Sequence, residues 1–277
     1  MPRLLRPGRA VSLLCSLLLA VPACAPSVQQ EVAMGNQYAA QLQQQLPLID
    51  DPAITSLFQS AVAPLKRVAQ RQDLAWDFHI VNSDQVNAFA VPGGHVYVFR
   101  GLIERARHYD EFAGAVTHEI GHVDLRHSAQ QMGQANAANT GLTLAYLLLG
   151  RQPSTAEQVG LGLAGNMVFA KFSRDDEREA DSMAVLYTTR AGIDPDGIAG
   201  MFEVLQGLQQ SEPGKVEQWF ASHPATSERI TNVQRMIAAN PSARTVARTG
   251  RRDLAAFESL QRKLRALPPA PKELPSQ

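Results

Sequence analysis

The chain has little of several features that would indicate particular functions. Its 26 basic residues are balanced by 26 acidic ones, so no nucleic-acid partner is indicated. Aromatic residues make up only 6% of the chain, which also argues against a surface that stacks on bases. The two cysteines, Cys15 and Cys24, both lie near the start, so the rest of the chain has no disulfide and no thiol nucleophile.

Long hydrophobic runs are also lacking. The first apolar run, Ala10 to Val21, is shorter than the roughly 20 residues that a membrane-spanning helix requires. It follows three arginines and no acidic residue, which is typical of a signal-peptide core. A second apolar region, 141–168, is predicted to form a buried helical pair. The alternative is that this region touches lipid or unfolded substrate.

The first segment ends in the letters VPAC, Val21 to Cys24, which resemble the cleavage box of bacterial lipoproteins. In this interpretation residues 1–23 are a signal peptide and Cys24 carries the lipid. Residues 24–48 are then a lipid-anchored tether that runs into a weak helix. Alanine at position 25, by resemblance to enterobacterial sorting, favours the outer membrane. The alternative is an ordinary secretory signal cleaved beside the cysteine.

Periodicity predicts an α+β fold, with a small early sheet followed mostly by helices. The stretch LAWDFHIV alternates like a half-buried strand, and VNAFAVPGGHVYVF has the pattern of strand, Pro-Gly-Gly turn and strand. Helices are expected near 110–132, 135–150, 155–171, 174–191, 195–210, 225–239 and 251–266. We predict one folded domain over 49–240, followed by a C-terminal helix and Pro-rich tail over 241–277.

The stretch AVTHEIGHVDLRH carries three of the seven histidines. On a helix, His118 and His122 lie one turn apart on the same face, away from an apolar stripe. Glu119 is close enough to reach a water held by both imidazoles, which is the arrangement of HExxH zinc sites. His127 falls on the apolar stripe, roughly opposite His118. We therefore predict that His127 is a structural histidine and not a ligand.

A catalytic zinc usually has three protein ligands and a water, so a further ligand is needed. The segment SRDDEREADSMAV places Glu177 and Asp181 on one helical face with Ala180 and Ala184, whereas Glu179 points away. A buried carboxylate requires a cation or a metal. Glu177 is therefore predicted as the third ligand. Asp181 is predicted to bind the free N–H of a ligand histidine.

These motifs together resemble a known family. HEIGH followed by SRDDEREAD, with NAFAVPGGHVYVFRGLI upstream and SHPATSERI downstream, is similar to the gluzincin metallopeptidases of the CAAX-prenyl-protease and HtpX type. The four blocks occur in family order. The resemblance implies a mostly helical, zincin-like metallopeptidase domain over 49–240. It implies one Zn²⁺ per chain, bound by His118, His122 and Glu177, with Glu119 activating the water.

The resemblance also implies that the hairpin NAFAVPGGHVYVF forms the active-site edge strand. A substrate strand would pair with such an edge through main-chain hydrogen bonds. The residues assigned to this role are Asn87, Ala88, Phe89, Gly93 and Gly94.

The role of His223 is left open among three alternatives. Because Pro224 follows it, the backbone of His223 is held extended and its ring is free to point inward. It is predicted as a loop histidine with a structural hydrogen bond, as an oxyanion donor in catalysis, or as a fourth zinc ligand that displaces the water. Tyr187 is a second candidate for the oxyanion donor.

We therefore predict a zinc-dependent endopeptidase, anchored through lipid at Cys24 to the periplasmic face of the outer membrane. The family's periplasmic branch is linked to outer-membrane quality control, which implies unfolded or misassembled polypeptides as substrates. The alternative is a chaperone-like outer-membrane assembly factor that uses the same groove with little proteolysis. No nucleic-acid partner is expected, and no oligomeric state is predicted.

Overall fold

The computed structural model describes residues 26–133, 171–224 and 227–271. The predicted signal peptide, Cys24 and the apolar region 141–168 lie outside these residues. So do the predicted helices 135–150 and, except for its last residue, 155–171. Within the described part, no helix is long and apolar enough to cross a membrane.

The chain begins with two helices that carry clear start signals. Helix α1 (Val28–Gln45) opens with a capping box formed by Ser27 and Gln30. Helix α2 (Pro52–Lys66) follows Asp51, whose carboxylate accepts hydrogen bonds from the first turn. Its first residue is proline, which is tolerated there because no helical hydrogen bond is lost.

Three short strands form a sheet in the order β1-β3-β2. Strand β3 (His95–Phe99) lies in the centre, parallel to β1 (Asp77–Val81) and antiparallel to β2 (Ala88–Val91). The β2–β3 turn contains Gly93 and Gly94 at φ 90° and 95°, a region that glycine adopts readily. Strand β2 is an edge strand of this sheet and lies beside the helix that carries HEIGH.

The remaining described elements are mostly helical, so the α+β prediction is confirmed. Besides a helical segment at 127–133, they are α3 (Arg100–Arg105), α4 (Tyr109–Asp124), α5 (Arg174–Arg190), α6 (Gly197–Ser211), a 3₁₀ turn (Pro213–Lys215), α7 (Glu217–Ser222), α8 (Ser227–Ala239), α9 (Pro241–Thr249) and α10 (Ala255–Arg265). Helix α4 is central: it packs against α5, α6, α2 and β2. Its buried rings Tyr109 and Phe112 contact Phe257 of α10 at centroid distances of 5.7 and 4.9 Å.

Two predicted helices have different limits in the structure. The helix predicted at 110–132 is broken, because α4 ends at Asp124 and Arg126 has a left-handed φ of 62° before a second helical segment at 127–133. The Arg126 guanidinium is held by Glu31 of α1 at 2.7 Å. The helix predicted at 251–266 starts at Ala255 and is preceded by α9, which sequence analysis missed although Asn240 and Pro241 provide start signals for it.

Candidate metal centre

Helices α4 and α5 approach each other closely at one glycine. A Cβ atom added at Gly121 would lie 3.0 Å from the Cβ of Met183 and 3.2 Å from the carbonyl oxygen of Ala180. Alanines at positions 180 and 184 are fully buried at the same contact. Small residues on both helices therefore allow the histidines of α4 to meet the carboxylates of α5.

Four side chains converge between these helices and the end of α7. His118, His122, Glu177 and His223 each offer a ligand atom, and these atoms all lie within 4.8 Å of one another. The Nε2 atoms of His118 and His122 are 3.1 Å apart. Glu177 lies 3.6 Å from the first of these nitrogens and 3.5 Å from the second. All four side chains are buried.

The donor set fits a divalent metal such as zinc. His118 Nδ1 lies 3.0 Å from Asp181 Oδ1, so a proton on Nδ1 leaves the Nε2 lone pair free to bind a metal. This is the contact predicted for Asp181. The Nε2 atoms of His118 and His122 lie close to each other and to the buried carboxylate of Glu177. Two imidazole nitrogens in this arrangement need a proton or a cation between them. Nitrogen and oxygen donors of this kind are typical zinc ligands.

The neighbours of each group determine which members of the centre are charged. Burial opposes ionisation of Glu177, but His223, His118 and His122 outweigh it and hold its pKa well below the usual range. Burial likewise opposes protonation of His118, but hydrogen bonds with Asp181 and Glu177 raise its pKa to about 9. For His122, burial dominates and lowers the pKa well below the usual value.

Glu119 has a different environment from Glu177. Burial raises its pKa more than His223 and His118 lower it. Its Oε1 atom is buried without a hydrogen-bond partner and lies 3.5 Å from His223 Nε2. A carboxylate oxygen that makes no hydrogen bond and belongs to a group with a raised pKa, next to the ligand histidines, is suited to accept and return a proton.

This geometry agrees with the comparison with known protein families. The sequence profile of peptidase family M48 matches residues 50–237. This chain belongs to peptidase family M48. The resemblance found in the sequence is therefore confirmed, and the prediction of a zinc metalloendopeptidase is confirmed at the level of the family.

Within the aligned regions, several relatives are 30–31% identical to this M48 chain. It is 30% identical over 218 residues to the beta-barrel assembly-enhancing protease of Yersinia pestis, covering 75% of this chain and 44% of the relative. It is 31% identical over 166 residues to metalloprotease YcaL of Escherichia coli (strain K12), covering 58% and 62%. Mitochondrial metalloendopeptidase OMA1 of Schizosaccharomyces pombe is 30% identical over 183 residues, covering 65% and 52%. The chain thus spans about half the length of these relatives.

His223 enters the M48 centre from the end of α7. Its backbone lies outside the helical region, at φ −123° and ψ 88°, as expected for the residue before Pro224. The ring lies between Phe172 and Trp219, at centroid distances of 5.3 and 5.2 Å. Its Nδ1 atom is 2.9 Å from Glu177 Oε1. Tyr187, the other candidate for an oxyanion donor, instead donates its hydroxyl to Asp124.

The location predicted for His127 was wrong. Because the helix is broken at Arg126, His127 is not opposite His118 but beside His122, and the two Nδ1 atoms are 2.8 Å apart. It is buried and is not one of the four convergent ligands. Its other ring nitrogen lies 3.3 Å from Glu179 Oε2.

Arg229 is a residue of the centre that sequence analysis missed. It lies on α8, where Arg229, Val233 and Ile237 are the buried residues. Its guanidinium hydrogen-bonds both oxygens of Asp181 and forms an ion pair with Glu177. The sequence does contain a signal for it: a charged residue that falls in line with apolar residues spaced four apart on the helix.

The residues assigned to substrate binding lie along β2 and its turn. Ala88 and Phe89 belong to the edge strand, and the Phe89 ring stacks on Tyr97 at 5.0 Å. Asn87 is buried, and its amide nitrogen lies 3.5 Å from Gln218 Oε1 on α7. Gly93 and Gly94 lie at the hairpin tip, where they pack against Val32 and against Leu74 and Trp76. The hairpin therefore contacts α1 at its tip and α7, the helix that precedes His223, at its other end.

Proposed function

We propose that this M48 chain is a zinc endopeptidase of the bacterial envelope that cleaves unfolded or misassembled polypeptides. The observation that carries the proposal is the buried Oε1 atom of Glu119, which makes no hydrogen bond and lies 3.5 Å from His223 Nε2, next to the convergent side chains of His118, His122 and Glu177. A buried carboxylate in this position needs a physical explanation, and a role as proton acceptor next to a metal provides one.

The chain's own residues divide the work of peptide hydrolysis. His118, His122 and Glu177 would hold the metal, which when bound supplies Lewis acidity and lowers the pKa of a water. Glu119 accepts the proton of the attacking water at Oε1 and delivers it to the leaving amine nitrogen. Asp181 and Arg229 keep His118 oriented through the Nδ1 contact.

An extended substrate fits the arrangement of β2 and α4. Strand β2 is an edge of the described sheet and lies against the helix that carries Glu119. An unfolded segment can add to such an edge through main-chain hydrogen bonds, which gives affinity with loose sequence preference. Most strands of a folded protein already have main-chain partners on both sides, so this mode of binding favours unfolded chains.

The proposed location rests on the start of the chain and on its relatives. Residues 1–23 would be a signal peptide and Cys24 would carry the lipid that anchors the protein to the outer membrane. The relatives named beta-barrel assembly-enhancing protease support a role near outer-membrane assembly. Helix α1 begins at Val28 and is held to the domain by ion pairs of Glu31 with Arg71 and Arg126. A lipid at Cys24 would therefore hold the domain close to the membrane.

The cleavage experiment uses a purified outer-membrane β-barrel protein in denatured and folded forms. We expect fragments from the denatured form only, loss of cleavage after metal chelation, and recovery on addition of zinc.

The words "assembly-enhancing" in the relatives' names support a second candidate, a chaperone-like factor with little proteolysis. Faster assembly by the chelated protein, without fragments from the metal-loaded protein, would favour this second candidate.

The proposed anchor is tested separately with Cys24→Ser. We expect a protein that is unprocessed or released from the membrane, because Cys24 is the only candidate for lipidation. Persistence in the outer-membrane fraction after a high-salt wash would contradict the lipoprotein proposal.

A further inference from the structure

The two histidines of HEIGH differ in what binds their Nδ1 atoms. His118 Nδ1 faces the carboxylate of Asp181 at 3.0 Å. His122 Nδ1 faces another imidazole nitrogen, Nδ1 of His127, at 2.8 Å. His127 Nε2 in turn lies 3.3 Å from Glu179 Oε2 and 3.8 Å from Asp176 Oδ1. A second chain of polar contacts therefore runs from α5 to His122.

The position of the protons in this second chain follows from the chemistry of imidazole. A neutral imidazole has one N–H donor and one acceptor nitrogen. If His122 offers the Nε2 lone pair to a metal, its Nδ1 carries the proton, and Nδ1 of His127 must accept that hydrogen bond. The proton of His127 is then on Nε2, which is the atom that faces Glu179. Each nitrogen has a suitable partner in this single arrangement.

The backbone conformation just before His127 places its side chain next to His122. A continuous helix would carry residue 127 away from residue 122, but the left-handed φ of 62° at Arg126 turns the chain back. Such a backbone is uncommon for a residue other than glycine. Glu31, itself buried, binds Arg126 at 2.7 Å and Arg71 at 2.6 Å. On another side of His122, the Phe172 ring stacks at a centroid distance of 3.9 Å.

We propose that His127 is a positioning residue that holds His122 in the tautomer and orientation needed to bind the metal. Glu179 supports it by accepting the Nε2 hydrogen bond. This inference rests on the proposed function, because it assumes that His122 is a ligand. His127 is buried and lies outside the ligand set, but in this role it contributes measurably to the metal affinity.

A matched pair of substitutions in the full chain tests the proposal. In His127→Asn, the amide oxygen can take the place of Nδ1, because both are bonded to Cγ. In His127→Leu, a side chain of similar reach has no acceptor. We expect zinc affinity, measured by competition with a chromophoric chelator, to fall about 10–100-fold in His127→Leu. His127→Asn should stay close to the wild type.

Melting of the metal-free protein separates positioning from a structural role. We expect the two variants to melt at similar temperatures without metal and to differ in the shift that zinc produces. Equal loss of zinc affinity in both variants, or unchanged affinity in His127→Leu, would overturn the inference. His122→Ala is the reference: if it loses zinc while His127→Leu does not, only the inference fails. If His122→Ala keeps full zinc affinity, the proposed function fails instead.

Discussion

Arg229 meets Asp181 through two hydrogen bonds, from Nε to Oδ2 at 2.9 Å and from Nη2 to Oδ1 at 2.6 Å. Both side chains are buried, and the guanidinium also lies 4.3 Å from the centre of the Phe202 ring. Burial disfavours ionised Asp181, but Arg229, together with His118, outweighs it and lowers the pKa of this carboxyl. Arg229 therefore allows a second carboxylate to stay ionised beside the metal ligands.

Replacement of Arg229 by methionine should destabilise the protein strongly. The change keeps much of the side-chain volume but leaves the carboxylates of Asp181 and Glu177 without their buried cation, a loss that typically costs about 3–5 kcal/mol. Urea unfolding of the metal-free protein measures it. The control is Arg262→Met, because Arg262 forms an exposed pair with Glu258 at 3.9 Å and exposed pairs contribute little. Similar losses in both variants would contradict the role of Arg229.

The identity of the third ligand is tested by two glutamates on the same helix. Glu177→Gln should lose most bound zinc, because Glu177 is buried among the ligand atoms. Glu179→Gln should retain its zinc, since that side chain is exposed and contacts only His127 of the centre. Asp181→Asn should weaken binding by about 10–100-fold. Metal analysis showing full zinc in Glu177→Gln and depletion in Glu179→Gln would reverse the assignment.

Those parts of the site that depend only on which residues share a face of one helix could be predicted from the sequence. Residues four apart share a helix face, which placed His118 with His122 and Glu177 with Asp181. The β2–β3 hairpin was predictable for a similar local reason, because its two glycines permit positive φ. His223 could be proposed because a residue before proline is kept extended.

The parts that were missed depend on contacts between distant segments. The break at Arg126 is held by Glu31, 95 residues earlier, and no local signal marks it. His127 was misplaced as a consequence, because its helical phase was continued through that break. Arg229 was overlooked because its two carboxylate partners lie on α5, 48 residues away for Asp181, and only their convergence explains a buried arginine.

His223→Ala distinguishes the alternatives for this residue by the sign of the effect. As an oxyanion donor, His223 should be needed for turnover, and its loss should lower activity by roughly 10²–10³-fold. As a fourth ligand that displaces the water, its loss should raise basal proteolysis while zinc stays bound. The place of His223 among the four convergent ligand side chains leads us to expect the rise. Unchanged activity and zinc affinity would return His223 to a structural role.

The first turn of α4 should make stability depend on pH. Burial raises the pKa of Asp110 to about 6, although Arg252 opposes the shift. An unfolded aspartate titrates near pH 4, so between about pH 4 and 6 the folded chain holds a proton that the unfolded chain releases. This contribution to stability is present at low pH and is lost as pH rises through 6. Relative to Asp110→Asn, the wild type should therefore gain stability from pH 7 to pH 4.5 in urea unfolding. A constant difference would contradict the shift.

The central claim is that Glu119 moves the proton for peptide hydrolysis at a metal held by His118, His122 and Glu177. Its most direct test measures, in one preparation, the zinc content of Glu119→Gln and its cleavage of a denatured outer-membrane protein. The glutamine keeps the size of the side chain but cannot act as a base, so we predict wild-type zinc content and loss of nearly all cleavage. Cleavage at the wild-type rate by the zinc-loaded variant would contradict the account.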